Sequence, residues 1–143
     1  MSSLPNWPME LLLLERVALA IVLGSAIGLE RRLHHHAAGL HTNALVAGGA
    51  AMFCLIATLL VDPNATRVAG QVAVGIGFVC AGVIFRHGSV IHGLNTASTV
   101  WCSAAVGVLA GSGYLLLAMG CAGLVLIANV LLHIAEHRWF SGP

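Results

Sequence analysis

Few residues in this sequence are equipped for chemistry, and they fall into small groups. Glu15 and Arg16 lie side by side inside an apolar stretch, and Asp62 and Arg67 flank a short polar break. A charge surrounded by apolar residues is costly and needs a reason. These four are read as one cluster at a common surface, a salt-bridge network in preference to an ion path. A second group is histidine: His34, His35, His36, His41, His87 and His92. Such a set can bind a divalent metal or sense pH. No fixed ligand spacing supports a metal site here, so the preferred reading is a weakly basic surface.

A third group is neutral and polar: Gln71, then Asn95, Thr96, Ser98 and Thr99. Asn95 follows Gly93-Leu94, which suits a helix N-cap whose side chain accepts a backbone N–H. The functional alternative is a polar recognition patch at the mouth of a helix bundle. Ser98 and Thr99 are expected to bond backbone carbonyls. Cys54, Cys80, Cys102 and Cys121 each sit in an apolar run and form no C-x-x-C pair, so they read as small buried hydrophobes. There is no Walker loop, no H-E-x-x-H and no Gly-x-Ser-x-Gly. The carboxylates are scattered. The chain is therefore expected to be no enzyme and to hold no cofactor or metal.

The elements that position these residues follow from hydropathy. The 143 residues are 59% hydrophobic and 8% charged, with mean hydropathy +0.96, whereas a soluble domain carries about 25% charge. So few charges cannot cover a surface facing water, and the expected surroundings are a lipid bilayer. A net charge of +1 offers no basic face for nucleic acid. Five apolar runs stand out: Met9–Leu29, Ala44–Val61, Val68–Phe85, Leu94–Gly111 and Tyr114–Leu132. Each approaches the ~20 residues needed to cross the hydrocarbon core. They are too long, and alternate too little, for barrel strands. Ala18-Leu19-Ala20 mimics a signal-peptide cleavage site, but the basic n-region is missing, so the first run is read as a retained span. The fold expected is all-α, one transmembrane domain over residues 1–143 with about five helices.

Counting arginines orients the bundle. With the N-terminus outside, Arg31, Arg32, Arg86 and Arg138 face the cytoplasm, against Arg16 and Arg67 outside. The positive-inside rule then favours a cytoplasmic C-terminus, where Trp139 and Phe140 suit the interface. Small residues recur four apart at Ala20, Gly24 and Gly28, at Ala73, Gly77 and Ala81, and at Ser103, Gly107 and Gly111. Such stripes let helix backbones approach closely. Packing within one bundle is the preferred reading, and a homo-oligomer face is the alternative.

Ordered motifs run along the chain. Gly28-Leu29-Glu30-Arg31 precedes Ala38-Gly39-Leu40-His41-Thr42-Asn43-Ala44-Leu45-Val46. Asp62-Pro63, Arg67, Gln71-Val72 and Gly75-Ile76-Gly77-Phe78 follow. Ala81-Gly82-Val83-Ile84-Phe85-Arg86 leads to Gly93-Leu94-Asn95-Thr96-Ala97 and Trp101-Cys102-Ser103-Ala104-Ala105-Val106-Gly107. From about Arg16 to Leu132 this resembles the transmembrane domain of the MgtC/SapB family. The resemblance implies a multi-pass protein of the bacterial inner membrane, tied to growth in low magnesium and survival inside macrophages. It implies a non-enzymatic modulator that contacts another membrane complex such as F-type ATP synthase; a magnesium transporter or channel is the alternative. It marks Asn95 and Cys102 as functionally sensitive and places Asp62, Glu30, Arg31 and Arg86 in the family's polar signature. His41 and His92 stand where the family commonly has Arg. The chain ends at Pro143, so the C-terminal cytoplasmic domain of many members is expected to be absent.

Overall fold

The computed structural model describes residues 7–34, 37–60 and 65–140. Asp62, His35 and His36 lie outside the described residues, as do the side chains of His137, Trp139 and Phe140. Five helices follow one another: α1 (Trp7–Leu33), α2 (Leu40–Leu59), α3 (Ala65–Val83), α4 (Leu94–Gly111) and α5 (Leu115–Phe140). All five are long and apolar enough to cross a membrane. The apolar runs thus become helices, with shifted ends. Helix α1 continues past Leu29 through Glu30 and Arg31, which the sequence had placed in a polar break.

The third run also ends differently. Its helix stops at Val83, and Phe85 opens a hairpin of β1 (Phe85–His87) and β2 (Val90–His92), with Phe85 opposite His92 and His87 opposite Val90. Two three-residue strands are below what an apolar-run reading can resolve. Gly93 closes the hairpin in the left-handed region, at φ +88°, and a Cβ there would strike the Val83 carbonyl. Gly113 is another left-handed turn. At φ +92° it donates to the Ala110 carbonyl while Tyr114 N–H reaches Leu109, the double bond of a Schellman C-cap. The chain then reverses into α5.

Helix α2 sits at the centre, gripped by α1 on one side and α4 on the other. The grip is made by small residues. A Cβ on Gly24 would strike the Asn43 carbonyl, and one on Gly28 would come within 2.7 Å of the Gly39 carbonyl. From α4, Gly107 lies against the Ala47 backbone and Gly111 against that of Ala51. Two of the three stripes therefore pack inside one bundle, as preferred from sequence. The third does not. Within α3 Cys80 is buried, but Ala73, Gly77 and Ala81 are exposed, and Gly77 meets nothing within 4 Å. Around this centre the outer surface is strongly apolar, with Phe78 86% and Leu116 81% exposed. Water would not tolerate such a surface over the whole molecule.

Candidate functional site

Two buried polar centres occupy the end of the bundle where α1 finishes and α2 begins. The first is Asn43, fully buried one turn into α2. Its Nδ2 donates to the carbonyls of Ala38, at 3.0 Å, and Gly39, at 2.9 Å. Its Oδ1 accepts from Ser103 Oγ at 2.8 Å, and Ser103 is also fully buried. Two carbonyls can only accept and a hydroxyl can donate, so the chemistry orients the amide without ambiguity. Asn43 thereby ties the α1–α2 turn to α4. The sequence motif containing Asn43 assigns it no role. Nothing local in the sequence marks its pairing with Ser103, 60 positions away.

The second centre is Glu30. Its Oε2 accepts from Asn129 Nδ2 of α5 at 3.3 Å and lies 3.9 Å from Arg31 Nη1. Its Oε1 is 3.1 Å from His34 Nδ1. The His34 ring meets that of His133 edge-on, with centroids 4.6 Å apart. Arg31 is 1% exposed, and its Nε and Nη2 have no hydrogen-bond partner among the described residues. This centre fastens the far end of α5 to α1. Asn129 and His133 are one helical turn apart and present one face. Neither was singled out with Glu30 from sequence, because nothing local marks a contact across 99 positions.

The remaining expectations fare unevenly. Asn95 is not the N-cap of α4. That position is Gly93, with no side-chain cap bond, and Asn95 lies inside the first turn and is exposed. Its carbonyl accepts from Thr99 Oγ1 at 3.0 Å, as Leu94's does from Ser98 Oγ at 2.9 Å, so these hydroxyls do satisfy backbone carbonyls. Cys102 is half-buried and lies two turns along from Asn95. Asn95, Ser98, Trp101 and Cys102 form the strip of α4 turned away from the packed core. Arg86 sits on β1 and donates from Nε to the Gly88 carbonyl at 2.8 Å.

Of the expected four-residue charged cluster, Asp62 lies outside the described residues, and the other three stand apart. Glu15 and Arg67 are exposed, Arg16 lies over Gly113, where a Cβ would come within 3.1 Å of Nη1, and no ion pair joins the three among the described residues. The reason is spacing: Arg16 turns toward the α4–α5 reversal, and Glu15, its neighbour, points elsewhere. The histidines divide too. His34 and His133 meet, while His41, His87 and His92 are exposed.

Comparison with known proteins adds a family and named relatives. A family model described as the MgtC family matches residues 17–138. A Brucella abortus protein named Protein MgtC is 50% identical over 114 residues, 79% of this chain and 48% of the relative. A Salmonella typhimurium protein of the same name is 48% identical over 119 residues, 83% of this chain and 52% of the relative. The chain thus spans about half the length of the curated relatives it matches. No solved structure matches it.

Proposed function

Because the chain belongs to the MgtC family, we propose that it modulates another membrane complex rather than catalysing a reaction or carrying an ion. The proposed setting is the bacterial inner membrane, during adaptation to low magnesium and survival inside macrophages, and the first candidate partner is F-type ATP synthase. The proposed orientation has the N-terminus outside and the C-terminus in the cytoplasm. Arg31, Arg32 and Arg86 gather at the end where α1 and α3 finish, which supports it under the positive-inside rule.

The observation that carries the reading is the division of polar groups between inside and outside. Asn43, Ser103, Glu30 and Asn129 are used in bonds between helices. Asn95 is free of any capping duty and shares the outward strip of α4 with Cys102. Polar groups on an outward strip are available to a neighbouring membrane helix, where hydrogen bonds and close packing drive association. Crosslinking in native membranes, with identification of the bound chains, tests the reading directly. Recovery of an ATP synthase membrane subunit through a photoreactive group at position 98 is the result expected.

Asn95 allows a sharper test. Serine or aspartate can replace a cap, but neither offers both an amide donor and a carbonyl acceptor. Asn95→Ser and Asn95→Asp are expected to accumulate normally in the membrane and to lose growth support in low magnesium. Retained growth support in both would remove Asn95 from the contact.

Magnesium transport is addressed by reconstitution. Magnesium sites use oxygen ligands and keep several waters. Glu30, the buried carboxylate among the described residues, has Oε2 bonded by Asn129 and lies within 4 Å of the cationic Arg31, whose positive charge disfavours a divalent cation there. Purified protein in liposomes is expected to move no more magnesium than empty liposomes. Uptake that disappears in Glu15→Gln or Glu30→Gln would replace the modulator with a carrier.

A further inference from the structure

We propose that the β1–β2 hairpin is a docking element for anionic phospholipid headgroups. This inference is independent of which complex the protein modulates. The hairpin joins two helices that are each long enough to cross a membrane, so it must lie at the bilayer surface. Its base is pinned there: Gly93 seats against the Val83 carbonyl, and Cys80 Sγ donates to the Ala97 carbonyl at 3.3 Å across α3 and α4.

What the hairpin presents is apolar and basic at once. Phe85 is 60% exposed, and Val90 and Ile91 are each 54% exposed. Among them stand Arg86, His87 and His92, also exposed, with no acidic residue between Ile84 and Leu94. The ladder sorts them onto two sides. Phe85 and His92 share one side, their rings stacked at 5.4 Å and 20°, together with His87 and Val90; Arg86 and Ile91 share the other. Each side therefore pairs an apolar group with a basic one. Arg86 spends Nε on the Gly88 carbonyl, which braces the turn and leaves its remaining N–H groups without a partner among the described residues.

An isolated two-stranded hairpin is marginally stable in water, and its outer backbone groups are unpaired. Against a lipid surface both problems are relieved. The aromatic and aliphatic side chains enter the acyl boundary, as interfacial segments do. The guanidinium and the ring N–H groups of the histidines meet phosphate oxygens. Zwitterionic headgroups offer the same apolar depth without net negative charge, so preference for anionic lipid is the specific content of the proposal.

The test is amide hydrogen exchange on the full chain in vesicles of phosphatidylcholine alone, or of phosphatidylcholine mixed with phosphatidylglycerol. Residues 85–92 are expected to exchange about fivefold more slowly with phosphatidylglycerol present, the effect of one basic residue near an anionic surface. Added salt should reduce the difference. A variant carrying Arg86→Gln, His87→Gln and His92→Gln should show equal exchange in both vesicles, while α4 amides keep their protection and report an intact bundle. Equal exchange of the unaltered protein in the two vesicles overturns the proposal. So does slowing in detergent micelles produced by inorganic phosphate alone, or slowing that requires membrane proteins rather than lipid.

Discussion

Asn43→Ala is expected to be among the most damaging single substitutions in this chain, lowering stability by about 2–4 kcal/mol. Three hydrogen bonds are lost together, and the groups left behind are worse off than before. The Ala38 carbonyl and the Ser103 hydroxyl lose that partner in buried positions, while the part-buried Gly39 carbonyl keeps the backbone N–H of residue 43. An unpaired buried group costs more than a bond to it contributes. Ser103→Ala removes one donor and should cost about 1 kcal/mol. The double variant should cost less than the two singles added, because Oδ1 and Oγ share one bond. Unfolding of the purified protein in mixed micelles, followed through SDS titration, measures all three. Strict additivity would show that the Asn43–Ser103 bond is not the link between α2 and α4.

Gly107→Val should do comparable harm by a different route. The α2 and α4 backbones touch at Gly107 and Ala47, and a Cβ there would meet the Ala47 carbonyl, which belongs to a helix backbone and cannot rotate aside. The helices must separate, at a cost of about 3 kcal/mol. Separation also stretches the Asn43–Ser103 bond, one turn away on the same face. The comparison that isolates the mechanism is Gly77→Ala on α3, where nothing lies within 4 Å. That change should be neutral or slightly stabilising, since alanine favours helix by about 1 kcal/mol over glycine. If Gly107→Val unfolds at the same SDS fraction as the unaltered protein, the close α2–α4 contact is wrong.

The small-residue stripes show how far a sequence of this kind can be read. Ala20-Gly24-Gly28, Ala73-Gly77-Ala81 and Ser103-Gly107-Gly111 have the same spacing and the same residue types. Two are buried at backbone contacts, and one is exposed. Amphipathicity, which separates the inner from the outer face of a helix in water, fails here because both faces are apolar. The third run was likewise carried through Phe85 because hydropathy does not register a hairpin of three-residue strands. Asn95 was placed as a cap from local pattern alone, and Gly93 takes that position because the hairpin delivers the chain to α4 in a left-handed turn.

By itself the sequence determined what depends on local composition and order. That covers five helices of spanning length, the gathering of arginine near one set of ends, and the ordered motifs that carry the family. Tertiary structure alone decided which polar residues meet. Asn43 and Ser103 are 60 positions apart, and Glu30 and Asn129 are 99 apart. Their pairing is set by the rotation and register of one helix against another. Those are fixed where glycines let backbones touch, and the hydropathy of an almost uniformly apolar chain carries no record of them.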